Sequence, residues 1–258
     1  MAPHTIYSIF SFLLGLALGS FANVCIYRLP LGRSIVSPPS SCPHCGTQIQ
    51  FYDNIPILSY VLLRGKCRNC KKSIPIQYPL VELITGIISL ALFIRYGISY
   101  QYILYLLFSG SLVVITFIDL HHKIIPDVIS LPGIVVGFLA SFILPYLTWI
   151  ESLIGIVAGG GALLLIAVIF EKLTGKEGMG GGDIKLLAMI GAWLGWKALP
   201  FVVLISSILG ILIGGGALLV SGKGMRVRIP FGPFLAMGTL TYFFFGGPII
   251  RWYASFFF

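Results

Sequence analysis

Of the eight carboxylates in this 258-residue chain, four sit in or beside apolar runs: Glu82, Asp119, Asp127 and Asp183. An ionisable side chain at membrane depth is costly and needs a partner or a task. Asp119 closes the run Leu112–Ile118, where an acid in the last helical turn would face the negative end of the helix dipole. Asp127 follows Pro126 ahead of the next apolar run, an N-cap position. Asp183 ends Gly178-Met179-Gly180-Gly181-Gly182. Those glycines allow close backbone approach and unusual dihedrals, useful where an extended chain must lie beside a carboxylate. Glu82, one turn into a helix after Tyr78-Pro79, calls for a buried partner or a role that the sequence alone does not choose. Asp53, Glu151, Glu171 and Glu177 read as solvated charges. If Asp119 and Asp183 share one side of the membrane, they can form a carboxylate dyad. Two such groups resist ionising together, so one can activate water while the other polarises a carbonyl. A metal site of Asp119 with His121-His122 is the weaker alternative, because adjacent residues rarely point at one ion.

Four of the five cysteines form a second pattern: Cys42-Pro-His-Cys45, 21 intervening residues, then Cys67-Arg-Asn-Cys70. Paired CxxC knuckles at this spacing match a four-thiolate zinc ribbon. Four thiolates leave no open position for water, so the Zn2+ site reads as structural. Basic neighbours Lys66, Arg68, Lys71 and Lys72 favour thiolates, and His44 reads as a surface residue. Cys25 is a small packing residue.

The elements that must position these groups follow from composition. The chain is 57% hydrophobic and 10% charged, against about 25% charged in soluble domains, which excludes a soluble globular enzyme. The reading is an all-α polytopic membrane protein with eight spans: Ile6–Ile26, Pro79–Ile94, Tyr100–Ile118, Val128–Leu147, Ser152–Phe170, Lys185–Trp196, Leu199–Val220 and Phe231–Phe245. The first is a retained span, since it lacks a basic n-region and runs into Arg28. Three segments result: a first transmembrane helix (1–27), a small zinc-ribbon-like loop domain (28–78) and a helical membrane domain (79–258). With eight spans, 14 of the 17 Lys and Arg fall on one side and only Arg95, Lys197 and Arg251 on the other. The positive-inside rule then puts the loop, Asp119 and Asp183 at the cytoplasmic face and both termini outside. The net charge of +9 is therefore a topology signal, and the basic residues are not interleaved with aromatics as a nucleic-acid surface would have them.

These residues resemble a known family, the bacterial type IV prepilin peptidases, or prepilin leader peptidase/N-methyltransferases. The resemblance runs through Gly19-Ser20-Phe21-Ala22-Asn23-Val24, Tyr27-Arg28-Leu29-Pro30, both CxxC pairs, Asn54-Ile55-Pro56-Ile57 and Tyr78-Pro79-Leu80-Val81-Glu82. It continues through Ile118-Asp119, Ile125-Pro126-Asp127, Gly178-Met179-Gly180-Gly181-Gly182-Asp183-Ile184-Lys185 and Pro230-Phe231-Gly232-Pro233. It includes the GxGD signature of intramembrane aspartyl proteases. What it implies is an inner-membrane enzyme acting on precursors of type IV pilins or type II secretion pseudopilins. Such an enzyme cleaves after the Gly that ends a basic leader and N-methylates the new amino terminus from S-adenosylmethionine. By resemblance Asp119 and Asp183 are the protease pair, with Asp127, Gly180, Gly182 and Lys185 in support. The four cysteines map to the metal loop tied to methyl transfer. Gly65 and Lys66, with Glu82, are carried over to the methyl-donor site. The Gly178–Gly182 loop is expected to be mobile and to offer backbone groups to the leader, which Glu171 and Glu177 would receive. Two rival readings are a non-catalytic assembly or transport protein with a zinc-ribbon docking loop, and a peptidase without methyl transfer.

Overall fold

Inside a bilayer each apolar segment must satisfy its own backbone hydrogen bonds, which leaves helices as the local structure open to these runs. The computed structural model describes residues 2–175, 180–216 and 230–255; among them are helices and turns, and no strand beyond two isolated β-bridges. The helices are α1 (Ala2–Arg28), α2 (Leu58–Leu62), α3 (Gln77–Tyr96), α4 (Tyr100–His122), α5 (Asp127–Ala140), α6 (Trp149–Thr174), α7 (Gly181–Leu194), α8 (Leu199–Leu209) and α9 (Gly232–Ala254). A π-helical stretch, Gly210–Gly215, continues α8.

The eight expected spans correspond to α1 and α3–α9. Among the described residues six helices are long and apolar enough to cross a membrane. The two exceptions are α5 and α7, with 14 residues each. At 1.5 Å per residue each is about 21 Å long, less than the roughly 30 Å of a hydrocarbon core. Each carries an Asp in its first turn, Asp127 and Asp183, while Asp119 lies in the last turn of the long helix α4. The expected span to Leu147 stops at Ala140 because the chain turns there and re-enters a helix through a capping box. Thr148 Oγ1 accepts the Glu151 N–H at 3.2 Å and Glu151 Oε2 accepts the Thr148 N–H at 3.1 Å. Glu151, expected as a solvated charge, also pairs with Lys197 at 2.7 Å. The span expected at Lys185 begins instead at Gly181 and ends at Gly195, whose φ of +75° breaks the helix. Gly181 and Gly182 thus belong to the first turn of α7 and not to a loop. Lys176, Glu177, Gly178, Met179, the end of the seventh expected span past residue 216, and Lys223, Arg226 and Arg228 lie outside the described residues.

The chain divides into two compact units, residues 1–114 and 115–258, with the division inside α4. In the first, α1 packs on α3 and the start of α4 through polar contacts. Ser11 Oγ lies 3.1 Å from Ser89 Oγ and 3.0 Å from the Tyr102 hydroxyl, and Asn23 Nδ2 donates to the Tyr78 carbonyl at 3.0 Å.

In the second unit α7 is held from two sides. Against α6 the backbones touch at Gly155 and Gly191, where a Cβ on either residue would run into the other's carbonyl. Ser152 Oγ donates to the Ala192 carbonyl at 2.8 Å beside them. Small residues at such a crossing let van der Waals packing substitute for the hydrophobic drive that lipid does not supply. Against α5 the close approaches are Gly133 to Met189 and Gly137 to Trp193, the same offset of 56 residues in both. The two short helices therefore run parallel, in a register that sets Asp127 level with Asp183. Gly155→Leu should force α6 from α7 at a cost of about 3 kcal/mol, the upper range for overpacking. Gly161→Leu, where a Cβ meets nothing within 4 Å, should leave the thermal unfolding midpoint in detergent unchanged.

Candidate active site and metal centre

Asp119 lies in the last turn of α4 behind fully buried Ile118 and is itself 4% exposed. Its carboxylate finds a partner far away in sequence: the Gly232 N–H donates to Asp119 Oδ2 at 2.9 Å across 113 residues. Gly232 opens α9, so this N–H is one of the donors that a helix start leaves unsatisfied. The approach requires glycine, since a Cβ at 232 would stand 2.7 Å from Asp119 Oδ2. Asp183, in the first turn of α7 and half-buried, is within electrostatic reach of Asp119. The chain leaves α4 through Lys123 in a left-handed conformation (φ +56°). It then delivers Ile125 as a wedge between the two sides of the site. An ideal Cβ on Gly182 would meet Ile125 Cβ at 2.9 Å, and one on Gly232 would meet Ile125 Cδ1 at 3.3 Å. One isoleucine thus touches the residue before Asp183 and the residue that holds Asp119.

The expected capping role of Asp127 is not what the structure shows. Pro126 takes the N-cap position, without a side-chain cap, and Asp127 is the first residue of α5. Its carboxylate instead accepts from Lys185 Nζ at 2.7 and 2.8 Å. This ion pair ties α5 to α7 two residues from Asp183. Gly180 caps α7 without a side chain, and a Cβ there would meet only Asp183 Oδ2, at 3.8 Å. His121 Nδ1 lies 2.7 Å from the Phe117 carbonyl oxygen, so that ring is engaged along its own helix. Carboxylates held close together resist ionising at once, which is what lets an acid and a base coexist in one site.

In the first unit the two cysteine knuckles repeat one hydrogen-bond pattern. The Cys42 N–H donates to the Thr47 carbonyl and the Cys67 N–H to the Lys72 carbonyl, each at 2.9 Å. The Gly46 and Lys71 N–H groups return to the Cys42 and Cys67 carbonyls, and both residues are left-handed, at φ +71° and +59°. The result brings the four Sγ atoms of Cys42, Cys45, Cys67 and Cys70 within 4.8 Å of one another. Cys42 and Cys70 are 3.9 Å apart at sulfur, against about 3.8 Å between thiolates at tetrahedral zinc with 2.3 Å bonds. Across residues 29–76 Cys42 alone is buried, so this segment has no apolar core and the thiols are where it converges. Asn69 Nδ2 bridges the knuckles to Thr47 Oγ1 at 2.8 Å. Arg68, expected to serve the thiolates, instead grips Asp53, with Nε 2.9 Å from Oδ2 and Nη2 2.7 Å from Oδ1. Asp53 is accordingly not a free solvated charge, and the Arg68 hydrogen bonds hold its carboxyl below the usual range.

Glu82 is 8% exposed, and its Oε2 accepts the Ile57 N–H at 2.7 Å. Ile57 sits at φ +60°, ψ −49° with the Leu58 N–H on the Pro56 carbonyl, a strained γ-turn for a β-branched residue. The buried acid thus anchors the chain ahead of α2. Gly65 is left-handed (φ +65°) with the Tyr60 ring packed over it, and Lys66 pairs with Ser73 in a β-bridge. Sequence reasoning missed two partners, the Gly232 N–H and Ile125. Both lie in motifs it had marked, but a backbone donor and an aliphatic wedge carry no chemical signature of their own.

Comparison with known proteins matches the chain in two stretches. Residues 13–96 match the family model described as Bacterial Peptidase A24 N-terminal domain, and residues 106–215 match that of the Type IV leader peptidase family. The first span holds the four cysteines and the second holds Asp119, Asp127 and Asp183. A prepilin leader peptidase/N-methyltransferase of Aeromonas hydrophila is 39% identical over 268 residues, covering 95% of this chain and 92% of its own. Proteins of that name from Pseudomonas putida and Pseudomonas aeruginosa are 39% and 37% identical. They cover 87% and 99% of this chain, and 85% and 97% of their own lengths. No solved structure matches.

Proposed function

The chain belongs to the type IV leader peptidase family, and from that premise we propose that it is a two-step membrane enzyme. It cleaves the leader of type IV prepilins or pseudopilins after Gly and methylates the new amino terminus. The observation that carries the first step is the buried Asp119, fixed by the Gly232 N–H and within reach of Asp183. One carboxylate, ionised, takes a proton from water as its oxygen attacks the scissile carbonyl. The other, protonated, donates to that carbonyl oxygen, and the pair returns a proton to the leaving amine. The substrate backbone must be extended here, since a helical peptide bond in lipid is satisfied and dry. The Asp127–Lys185 pair keeps α5 and α7 in register around the dyad. The distribution of Lys and Arg supports placing this site at the cytoplasmic face of the inner membrane.

The second step takes S-adenosylmethionine as its methyl donor and belongs to the cysteine loop, residues 28–78. Cys42, Cys45, Cys67 and Cys70 hold a structural Zn2+ that shapes the loop around Gly65 and Lys66. The carboxylate of Glu82 supports that segment by fixing Ile57. The test is to reconstitute the full chain in lipid with a prepilin-type precursor and S-adenosylmethionine, following the substrate's amino terminus by mass spectrometry. The expected product lacks the leader and carries one added methyl group. A precursor left intact across several pilin and pseudopilin sequences would move the docking or transport reading ahead.

The geometry separates two glycines of the GxGD stretch. Gly182→Val places a branched side chain against Ile125, already 2.9 Å from an ideal Cβ, and should shift Asp183. A displacement near 1 Å can cost about a hundredfold in rate. Gly180→Val, with no contact closer than 3.8 Å, should lose much less. Equal losses in initial cleavage rate would sink the wedge assignment.

A further inference from the structure

Helix α2 presents its apolar face outward. Leu58, Val61 and Leu62 are 51%, 63% and 72% exposed, while Ser59, Tyr60 and Leu63 are turned further in. The spacing i, i+3, i+4 puts the three exposed side chains on one face. In a water-facing loop this arrangement is inverted. The helix closes with a Schellman cap, the Gly65 N–H on the Tyr60 carbonyl at 2.8 Å and the Arg64 N–H on the Val61 carbonyl at 3.0 Å. The left-handed position of that cap, where glycine is preferred, is held by Arg64 at φ +52°. A charged side chain kept at a strained position, with exposed Lys66 two residues on, supplies a cationic rim to the apolar face. Asp53 is the only acid between residues 29 and 76, and Arg68 occupies it. The segment enters from α1 and returns into α3, both long and apolar enough to cross a membrane, so a bilayer surface is always beside it.

We propose that α2 lies in the interfacial layer of the protein's own bilayer, with Leu58, Val61 and Leu62 among the acyl chains and Arg64 and Lys66 at anionic headgroups. Long cationic side chains at such a boundary keep their heads among phosphates while their stems cover apolar surface. Juxtamembrane Lys and Arg are drawn to anionic lipid. The consequence is that Gly65 and Lys66 are pinned at the membrane surface, where the amino terminus of an apolar substrate segment would emerge.

The experiment places the photo-crosslinker benzoylphenylalanine at position 62, and separately at 61, in the full chain. Vesicles are of phosphatidylethanolamine with phosphatidylglycerol, and adducts are identified by mass. His44, exposed on the first knuckle, is the comparison site. The expected result is a phospholipid adduct several-fold more abundant at 62 and 61 than at 44, reduced when phosphatidylglycerol is replaced by phosphatidylcholine. Adducts to another part of this chain, to added precursor in place of lipid, or no excess over position 44 would each overturn the proposal. Precursor cleavage in the same vesicles is read separately. A chain that gives the lipid adduct but cleaves nothing leaves α2 in place and counts against the proposed enzyme alone.

Discussion

Asp119→Asn and Asp183→Asn should each give a folded chain that leaves the leader attached, with cleavage down by at least about a thousandfold, within the 10² to 10⁴ range of a positioned acid or base. The isosteric change keeps a carbonyl oxygen able to accept the Gly232 N–H, so the carboxamide at position 119 can retain the 2.9 Å contact and the packing behind it. What the carboxamide cannot do is carry a negative charge or pass a proton, and the dyad needs one group in each state. Asp127→Asn is the necessary comparison. The register of α5 against α7 sets Asp127 level with Asp183, which makes it, among the described residues, the other carboxylate to test as its partner. But it is exposed, with 56% of its side chain accessible, and its charge is used by Lys185 at 2.7 Å. Its loss should cost far less than that of either dyad member, and thermal unfolding should remain near wild type for all three. Full cleavage by Asp119→Asn, with none by Asp127→Asn, would transfer the role to Asp127.

How much of this was legible in the sequence depends on which kind of signal each feature leaves. The long spans were readable because lipid demands about 20 apolar residues for a crossing, and that demand shows in composition alone. The end of α5 was not, because the apolar run continues past Ala140, where the chain turns before the capping box at Thr148 starts α6. The shortness of α7 was legible in the span Lys185–Trp196, but not its start at Gly181. The CxxC pairs announced their convergence through spacing. Asp53 and Glu151 looked solvated because their cations, Arg68 and Lys197, are 15 and 46 residues away. Nothing local marks such a pair. The placement of Asp119 was the hardest to foresee: its partner is a main-chain N–H, which every residue but proline owns, and glycine at 232 shows only that something must come close.

Removing the proposed metal centre should separate the two reactions. Cys67→Ser, or chelation of the wild type, is expected to leave leader cleavage intact and abolish methylation, giving a mature but unmethylated product. The reason lies in what holds residues 29–76 together. Only Cys42 is buried there, so the segment lacks the apolar core that a stretch of this size would need to fold alone. Four sulfurs within 4.8 Å supply the alternative, since a structural zinc contributes about 10 to 16 kcal/mol of apparent binding energy in small zinc domains. With one thiol gone the knuckles lose their common point, and the turn from Tyr60 to Lys66 loses the frame beside it. The proposed dyad belongs to the other compact unit, residues 115–258, as do Gly232, which holds Asp119, and Ile125, which packs on Gly182. Native mass spectrometry should find one zinc per wild-type chain and none in the variant, and limited proteolysis should cut the variant within residues 29–76 while the membrane helices stay protected. Cleavage activity in the same sample certifies that the rest of the chain is folded. Methylation at the wild-type rate by a chain shown to carry no metal would detach the cysteine loop from the second reaction.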